Sequence, residues 1–488
     1  MKSRFPYLFL CLMPLAAHAD NEDRLMQMRQ DMEYRRQEQE RQAVGNEPMA
    51  YGTAGAENGD DLALALLKAV NAQNGQETAR LLAVYEALPD YDPDMVLFAR
   101  ANQAVWRDDL KQASALYRSL LQRQPQFVRG RLDLARLLFV DKQNQESKAL
   151  FESVKLPDMP VINEKVKDFI RALEKRDAWN GSVSIGAGYD TNLNQSSENT
   201  MLRRQTSCGF DSEGQPILDE NDMLSCREEE LTAYAPEAEK GRMWTYEGGL
   251  NKRISLKGHH GIQLNTYAFG RLYPDRHEYS EHYLSAHPAY SFQNKDNSFH
   301  IGPLLQYEWQ GGKLQNSSSG LGLGYSREWS PRASFSILAE HKYDAYRQED
   351  LHHFNGPQTL LFATGVYALP QEWILFGGYD YLRKNSRERV DSYRRHGLRA
   401  GVGKHFSSGI ETVLQGTWRK TAYKDYHAWL ETRRRDSERI YQLDIKIHRP
   451  FLRGFTPALS LKHTRNKSSS WINRYKRNEV SFKIEYGF

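Results

Sequence analysis

Apolar and polar positions follow two different rhythms along this chain. Between residues 60 and 173 apolar side chains recur about every three to four positions, in runs separated by short polar turns. That spacing predicts amphipathic helices of about a dozen residues, packed in pairs. From Trp179 to the chain end the rhythm becomes strict alternation over segments of about ten residues, which predicts strands with one apolar and one polar face. The break falls at Arg176-Asp177-Ala178-Trp179-Asn180-Gly181.

The helical half repeats with a period of 34. A frame opened at Asp94 puts Leu97, Ala101, Ala104, Ala113, Tyr117, Leu120 and Pro125 at the positions that define a tetratricopeptide unit. Small residues such as Ala101 and Ala113 let the two helices of a hairpin approach, Tyr117 fills the remaining gap, and Pro125 ends the second helix. A frame opened at Val128 places Leu134, Ala135, Leu138, Phe151 and Val154 in equivalent positions, with Pro160 one place late. A third, opened at Asp60, places Leu66, Leu67, Val70 and Ala79 but lacks the aromatic at Ala83. Three units, the outer ones degenerate, are the minimum for a stacked solenoid, and residues 60–176 are expected to form it. Such stacks serve mostly to bind an extended or helical partner; the plainer role is a spacer or dimerisation element.

In the alternating half, Val183, Ile185, Ala187 and Tyr189 interleave with Ser182, Ser184, Gly186 and Gly188, and Leu321, Leu323 and Tyr325 with Gly320, Gly322 and Gly324. Short turns at 257–259, 294–297, 330–332, 369–371, 407–409 and 452–454 alternate with longer charged connections at 191–241, 274–281, 310–318, 345–356, 385–392, 424–437 and 464–473. Six short and seven long connections imply about 14 antiparallel strands. Short turns on one side and long loops on the other are the asymmetry of a transmembrane β-barrel, here over residues 179–488. The segment 410–423 is too polar to assign by alternation. The chain ends on Val480, Phe482, Ile484, Tyr486 and Phe488, alternating with Ser481, Lys483, Glu485 and Gly487. An alternating last strand that finishes on phenylalanine is the signal a barrel-assembly machinery reads.

Composition sharpens this division. Only six of the 34 glycines precede Trp179, whereas eight of nine tryptophans and 21 of 27 tyrosines lie at or beyond it, as expected for an all-β segment after an all-α one. Residues 1–19 read as a signal peptide: a basic Met1–Arg4, an apolar 5–16, and Ala17-His18-Ala19 ahead of cleavage between Ala19 and Asp20. A lipoprotein signal ending at Cys11 fits less well, because Leu10 is large. Residues 20–59 are polar and charged and read as a solvated helix or disordered segment followed by a linker from Gly45.

Beyond the signal no apolar run approaches the roughly 18–20 residues of a membrane helix. The mean hydropathy of −0.73 does not argue against a membrane barrel, whose lipid-facing residues alternate with polar ones. A net charge of +4 indicates no nucleic-acid partner. Cys208 and Cys226, inside the longest loop, are expected to form a disulfide in an oxidising compartment, worth roughly 3 kcal/mol by chain entropy. There is no G-x-S-x-G, H-E-x-x-H, P-loop or C-x-x-C, so neither catalysis nor a cofactor is indicated. The pairs His259-His260 and His352-His353 read as solvated loop histidines rather than metal ligands. The run Arg433-Arg434-Arg435 reads as a surface charge cluster, with lipopolysaccharide phosphate as one possible contact.

Tetratricopeptide units, then a junction strand ending Gly188-Tyr189-Asp190-Thr191-Asn192-Leu193-Asn194, then a barrel of about 300 residues: this arrangement resembles the surface lipoprotein assembly modulators of Neisseria and related bacteria. The likeness spans nearly the whole mature chain. It implies an outer-membrane protein with its repeats in the periplasm and long loops outside. Such a protein passes transferrin-, lactoferrin- or factor H-binding lipoproteins to the cell surface, receives help from periplasmic chaperones and the barrel-assembly machinery, and contacts outer-membrane lipid. It implies no catalytic residue and no nucleotide. A polysaccharide-export porin also joins such repeats to a barrel, though usually with more of them. A rim lipase or protease, or a passive porin, are the remaining alternatives. If cargo leaves sideways, the first and last strands form the seam, and Gly186 and Gly188 would weaken it.

Overall fold

A computed structural model describes residues 22, 24–26, 28–29, 61–156, 159–197, 200–209, 215–218, 225–428, 430–448 and 454–488. The expected signal sequence, with its expected cleavage between Ala19 and Asp20, and the expected linker lie outside the described residues.

Seven helices form the first unit: α1 (Asp61–Asn71), α2 (Gly75–Glu86), α3 (Pro93–Trp106), α4 (Leu110–Arg123), α5 (Val128–Val140), α6 (Asn144–Glu152) and α7 (Pro160–Arg176). They pair as three hairpins with α7 as a final cap, and the turns follow from their caps. Asp92 accepts from Asp94 N at 2.8 Å, Pro93 opens α3, and Asp109 accepts from Gln112 N at 3.0 Å. Ala101, Ala113 and Ala135 are fully buried where helices cross, and Tyr117 and Phe151 are the largest side chains buried between them. Pro125 sits exposed in the turn after α4, its carbonyl accepting from Arg131 Nε at 2.8 Å. In the third unit the close-approach position is Ser147, fully buried and donating to Ala135 O at 2.7 Å. The first unit is shifted by one residue from the expected frame. Ala79 is exposed and Thr78 is buried instead, because without an aromatic filler the second helix turns Leu81, Leu82 and Tyr85 into the gap.

The second unit is a closed antiparallel barrel of 14 strands. It runs from β1 (Asn180–Asp190) through β4 (Gly241–Ser255), β5 (His260–Leu272), β6 (Glu281–Gln293), β7 (Asn297–Gln310), β8 (Lys313–Ser330), β9 (Ala333–Tyr346), β10 (Gly356–Leu369), β11 (Trp373–Lys384), β12 (Tyr393–His405), β13 (Ile410–Tyr423), β14 (Arg435–Ile447) and β15 (Phe455–Ser468) to β16 (Tyr475–Gly487). Two further strands, β2 (Thr200–Cys208) and β3 (Cys226–Tyr234), pair with each other as a separate ribbon in the long connection after β1. One expected long loop is absent. The connection at 310–318 is a tight turn at Gly311 and Gly312, both at positive φ (56° and 78°), and its polar stretch belongs to the long strand β8.

The outer wall carries the mark of lipid contact. Ile185, Leu250, Leu305, Leu321, Leu361, Leu398 and Leu414 point outward and are exposed. At the short-turn end they are flanked by Trp179, Trp329, Trp373, Phe406, Phe455 and Phe488, and towards the far end by Trp244, Tyr343, Tyr379 and Trp418. An aliphatic band between two aromatic girdles is the surface of a membrane-embedded barrel. Val480, Phe482, Ile484, Tyr486 and Phe488 belong to this outward face.

The helical unit sits at the short-turn end. Asp177, which follows α7, accepts from Ser255 Oγ at 2.8 Å, and Gln145 Nε2 donates to Ser255 O at 2.6 Å. His259 is a docking residue and not a solvated loop histidine: its ring Nε2 donates to Asp141 Oδ2 at 2.8 Å. Burial opposes ionisation of Asp141, but hydrogen bonds from His259 and Gln143 outweigh it and hold the carboxyl below its usual range. Lys295, in the turn after β6, pairs with Asp108.

Candidate functional site: the barrel lumen and its seam

Inward positions of the strands are predominantly polar, and their charges pair in several clusters. Lys384 Nζ lies 2.5 Å from Asp344 Oδ2, and Lys342 lies 3.6 Å from the same carboxylate. Arg395 and Arg419 flank Asp380 at 3.6 and 3.5 Å. Arg271 reaches Glu281 at 3.4 Å and Glu479 at 3.3 Å. Charges taken from water this way persist only if paired, so the lumen wall is a set of fixed, mutually oriented groups. Aromatic residues gather in two places between them: Tyr267, Phe269 and Tyr283 on β5 and β6, and Tyr346, Phe362, Tyr393 and Tyr423 nearer the far end.

Residues 22, 24–26, 28 and 29 lie inside this lumen, and all of them are helical. A helix is one of the two readings their composition allows, but it is enclosed by the barrel and not solvated. Glu22 accepts from Arg395 Nη2 at 3.0 Å and from Gln358. Arg24 Nε donates to Glu247 at 2.8 Å, and Lys483 donates to the same carboxylate at 2.8 Å. Arg29 Nη1 lies 2.5 Å from Glu340 Oε1. Leu25 packs among Tyr267, Phe269 and Tyr283, and Met26 joins the second aromatic group. The guanidinium groups of Arg24 and Arg29 each sit 5.4 Å from a ring centre, over Phe269 and Tyr267 respectively. The sequence gives no sign of these partners, which lie more than 200 residues away. Beside Arg24 and Met28 a cavity of about 250 Å³ remains, lined by Ser336, His405, Glu411, Gln442, Lys446 and Glu485 among others.

The ring closes where β1 meets β16, paired from Ser182–Gly487 to Asp190–Glu479. The motif noted at 188–194 ties off its far end. Asp190 is fully buried and accepts from Arg477 Nε and Nη2 at 2.8 and 2.6 Å and from the backbone N–H of Asn192 at 2.9 Å. Asn192 Nδ2 donates to Lys476 O at 3.0 Å, and Asn478 N to Thr191 Oγ1 at 2.9 Å. At the near end Gly181 and Phe488 exchange backbone hydrogen bonds. Gly186 lies in β1 at this seam, opposite Lys483 in the ladder. A Cβ there would meet Phe482 O at 2.6 Å and Thr245 Oγ1 at 2.9 Å, so glycine serves close packing.

The remaining predicted residues fall elsewhere. Cys208 and Cys226 are directly opposite in the β2–β3 ladder. Arg434, in the arginine run, is not a free surface charge: it pairs with Asp436 at 2.8 Å and lies over Tyr423.

Comparison with known proteins covers both units. The model for "Surface lipoprotein assembly modifier" matches residues 179–488, and that for "Surface lipoprotein assembly modifier, N-terminal TPR repeats" matches 55–151. Among curated relatives, the "Hemophilin secretion modulator" of Acinetobacter baumannii is 32% identical over 88% of this chain and 86% of its own. "Surface lipoprotein assembly modifier 1" of Haemophilus influenzae is 26% identical over 89% and 86%, and its Neisseria meningitidis counterpart 23% identical over 97% and 94%. Among solved structures, a Pseudomonas aeruginosa FadL homologue aligns over 64% of this chain and 90% of its own, with a TM-score of 0.35 and 10% identity.

Proposed function

This chain belongs to the surface lipoprotein assembly modifier family, and from that premise we propose that it carries lipoproteins across an outer membrane for display on the cell surface. The observation that supports this reading best is that family likeness extends through both the repeats and the barrel, the two parts such transport requires. In this reading the repeats stand in the periplasm, where they take the client from chaperones, and the long loops face outward. The C-terminal residues Val480–Phe488 are the signal by which the barrel-assembly machinery inserts the protein, and the signal peptide is cut between Ala19 and Asp20. The clients are lipoproteins of the transferrin-, lactoferrin- and factor H-binding type, with a hemophilin-like protein added by the name of one relative. Transport of this kind needs positioning and a path, and no catalytic group.

The test is surface display. The gene is deleted in its native host, intact cells are labelled with antibodies against surface lipoproteins, and whole-cell amounts are measured in parallel. Lipoproteins present in the cell but lost from its surface support the proposal and identify the clients. Unchanged display with reduced polysaccharide export would replace it by the export-porin reading.

A further inference from the structure

We infer that the lumen is a peptide-binding channel whose resident occupant is the chain's own N-terminal helical residues 22, 24–26, 28 and 29, and that this occupant closes the conduit and must leave before cargo can pass. The second half of the inference rests on the transport reading above; the first does not.

The lumen matches this segment group by group. An acidic residue, Glu22, meets Arg395 and Gln358; two basic residues, Arg24 and Arg29, meet Glu247 and Glu340; two apolar residues, Leu25 and Met26, meet the two aromatic groups. Five contacts of complementary charge and polarity specify a ligand and its register. The wall is also costly to leave vacant, because displacement would strip Glu340 of a charge partner at 2.5 Å. The site therefore favours a polypeptide carrying basic side chains around an apolar pair, and any cargo segment that crosses must compete with the resident one.

The direction of the segment supports closure. Gln358 and Arg395 are each the third residue of their strands counted from the far end, whereas Glu340 lies near the middle of β9. The segment thus runs with its N-terminal side towards the far mouth and its C-terminal side towards the repeats, along the axis a transported chain would follow.

Two measurements test this. In the first, the full-length protein is reconstituted in planar bilayers and its conductance recorded. Wild type should be largely closed, and deletion of residues 22–29 should raise the open conductance at least several-fold. Arg29→Glu and Glu340→Arg should each raise it, and the doubly exchanged protein should fall back towards wild type. That recovery separates loss of the plug from misfolding of the barrel. A synthetic peptide with the sequence of residues 22–29 should re-close the deleted form. A deletion variant that stays as closed as wild type, or an exchanged pair that stays open, would overturn the binding claim. In the second, Arg29→Cys and Glu340→Cys are combined and oxidised in cells. Lipoprotein display should be lost and should return on reduction. If the locked protein displays lipoproteins at the wild-type rate, the segment binds as inferred but does not lie on the path. Failure of the gene-deletion test with the conductance result intact would instead strike the transport reading alone.

Discussion

Asp190 is a carboxylate with no access to water, held by two hydrogen bonds from Arg477. Removing one member of such a pair strands the other's charge, at a cost of about 3–5 kcal/mol. Asp190→Leu should therefore lower the unfolding free energy of the barrel, read from urea titration in detergent, by that amount, and lower its urea midpoint accordingly, while Asp190→Leu combined with Arg477→Met should recover part of it. A single substitution that leaves the midpoint unchanged would show that the seam is not tied there. A second residue acts through pH. Burial raises the pKa of Asp133 on α5 to about 6, against the attraction of Arg129 and Arg136. Its unfolded value is near 3.9. Its contribution is then fully present below about pH 4 and is lost as pH rises through 6, so at neutral pH the carboxylate is a liability worth at most about 3 kcal/mol. Asp133→Asn should raise the melting midpoint of the helical unit by several degrees at pH 7.5 and change it little at pH 4. Circular dichroism of the full-length protein in detergent would check this, and an equal loss at both pH values would refute it. At this scale the sequence was legible where small and aromatic residues keep a period, as at Ala101, Ala113, Tyr117, Ala135 and Phe151. It was silent on Glu22, Arg24 and Arg29, because a charged side chain reads the same whether it faces water or a carboxylate from a distant strand.

Strands were recognised where their outer face is aliphatic, and less well where both faces are polar. Strand β13 fits this account, since Arg419 and Thr417 point inward into the charged lumen while its outer face mixes Leu414 and Trp418 with Thr412 and Lys420. The connection at 310–318 misled for a related reason. Asn316, Ser317, Ser318 and Ser319 have loop-like composition, yet they belong to the far end of a strand whose Asn316 and Ser318 are buried, Ser318 donating to Asp344. The β2–β3 ribbon was hidden in a connection recognisable only as long and charged. Its ladder sets Cys208 opposite Cys226, and directly opposed strand residues lie about 4.5–5.5 Å apart, inside the range that a disulfide spans. The mature protein, denatured without reductant, should therefore show no reactive thiol and should gain two after reduction. Two free thiols before reduction would mean that the ribbon is held by its backbone alone.

For the molecule as a whole, two routes outward are geometrically distinct: along the lumen, now occupied by the N-terminal segment, or sideways between β1 and β16. The seam is hydrogen-bonded along its length and tied at both ends, which favours the lumen. A disulfide between Val183→Cys and Tyr486→Cys, register partners across the seam, should leave lipoprotein display intact. Loss of display on oxidation, restored by reductant, would instead establish a sideways exit.

Fourteen is an even number, and that parity has a consequence of its own. Each strand carries the chain across the membrane once, so an even count returns it to the face from which it began. The helices that precede β1 and the phenylalanine that follows β16 must therefore share one compartment, whatever the lengths of the loops. A barrel that keeps this antiparallel seam can change size only by whole hairpins. A lone added strand would leave the repeats and the last residue on opposite sides and would set β1 parallel to its closing partner, where the antiparallel seam bonds could not form.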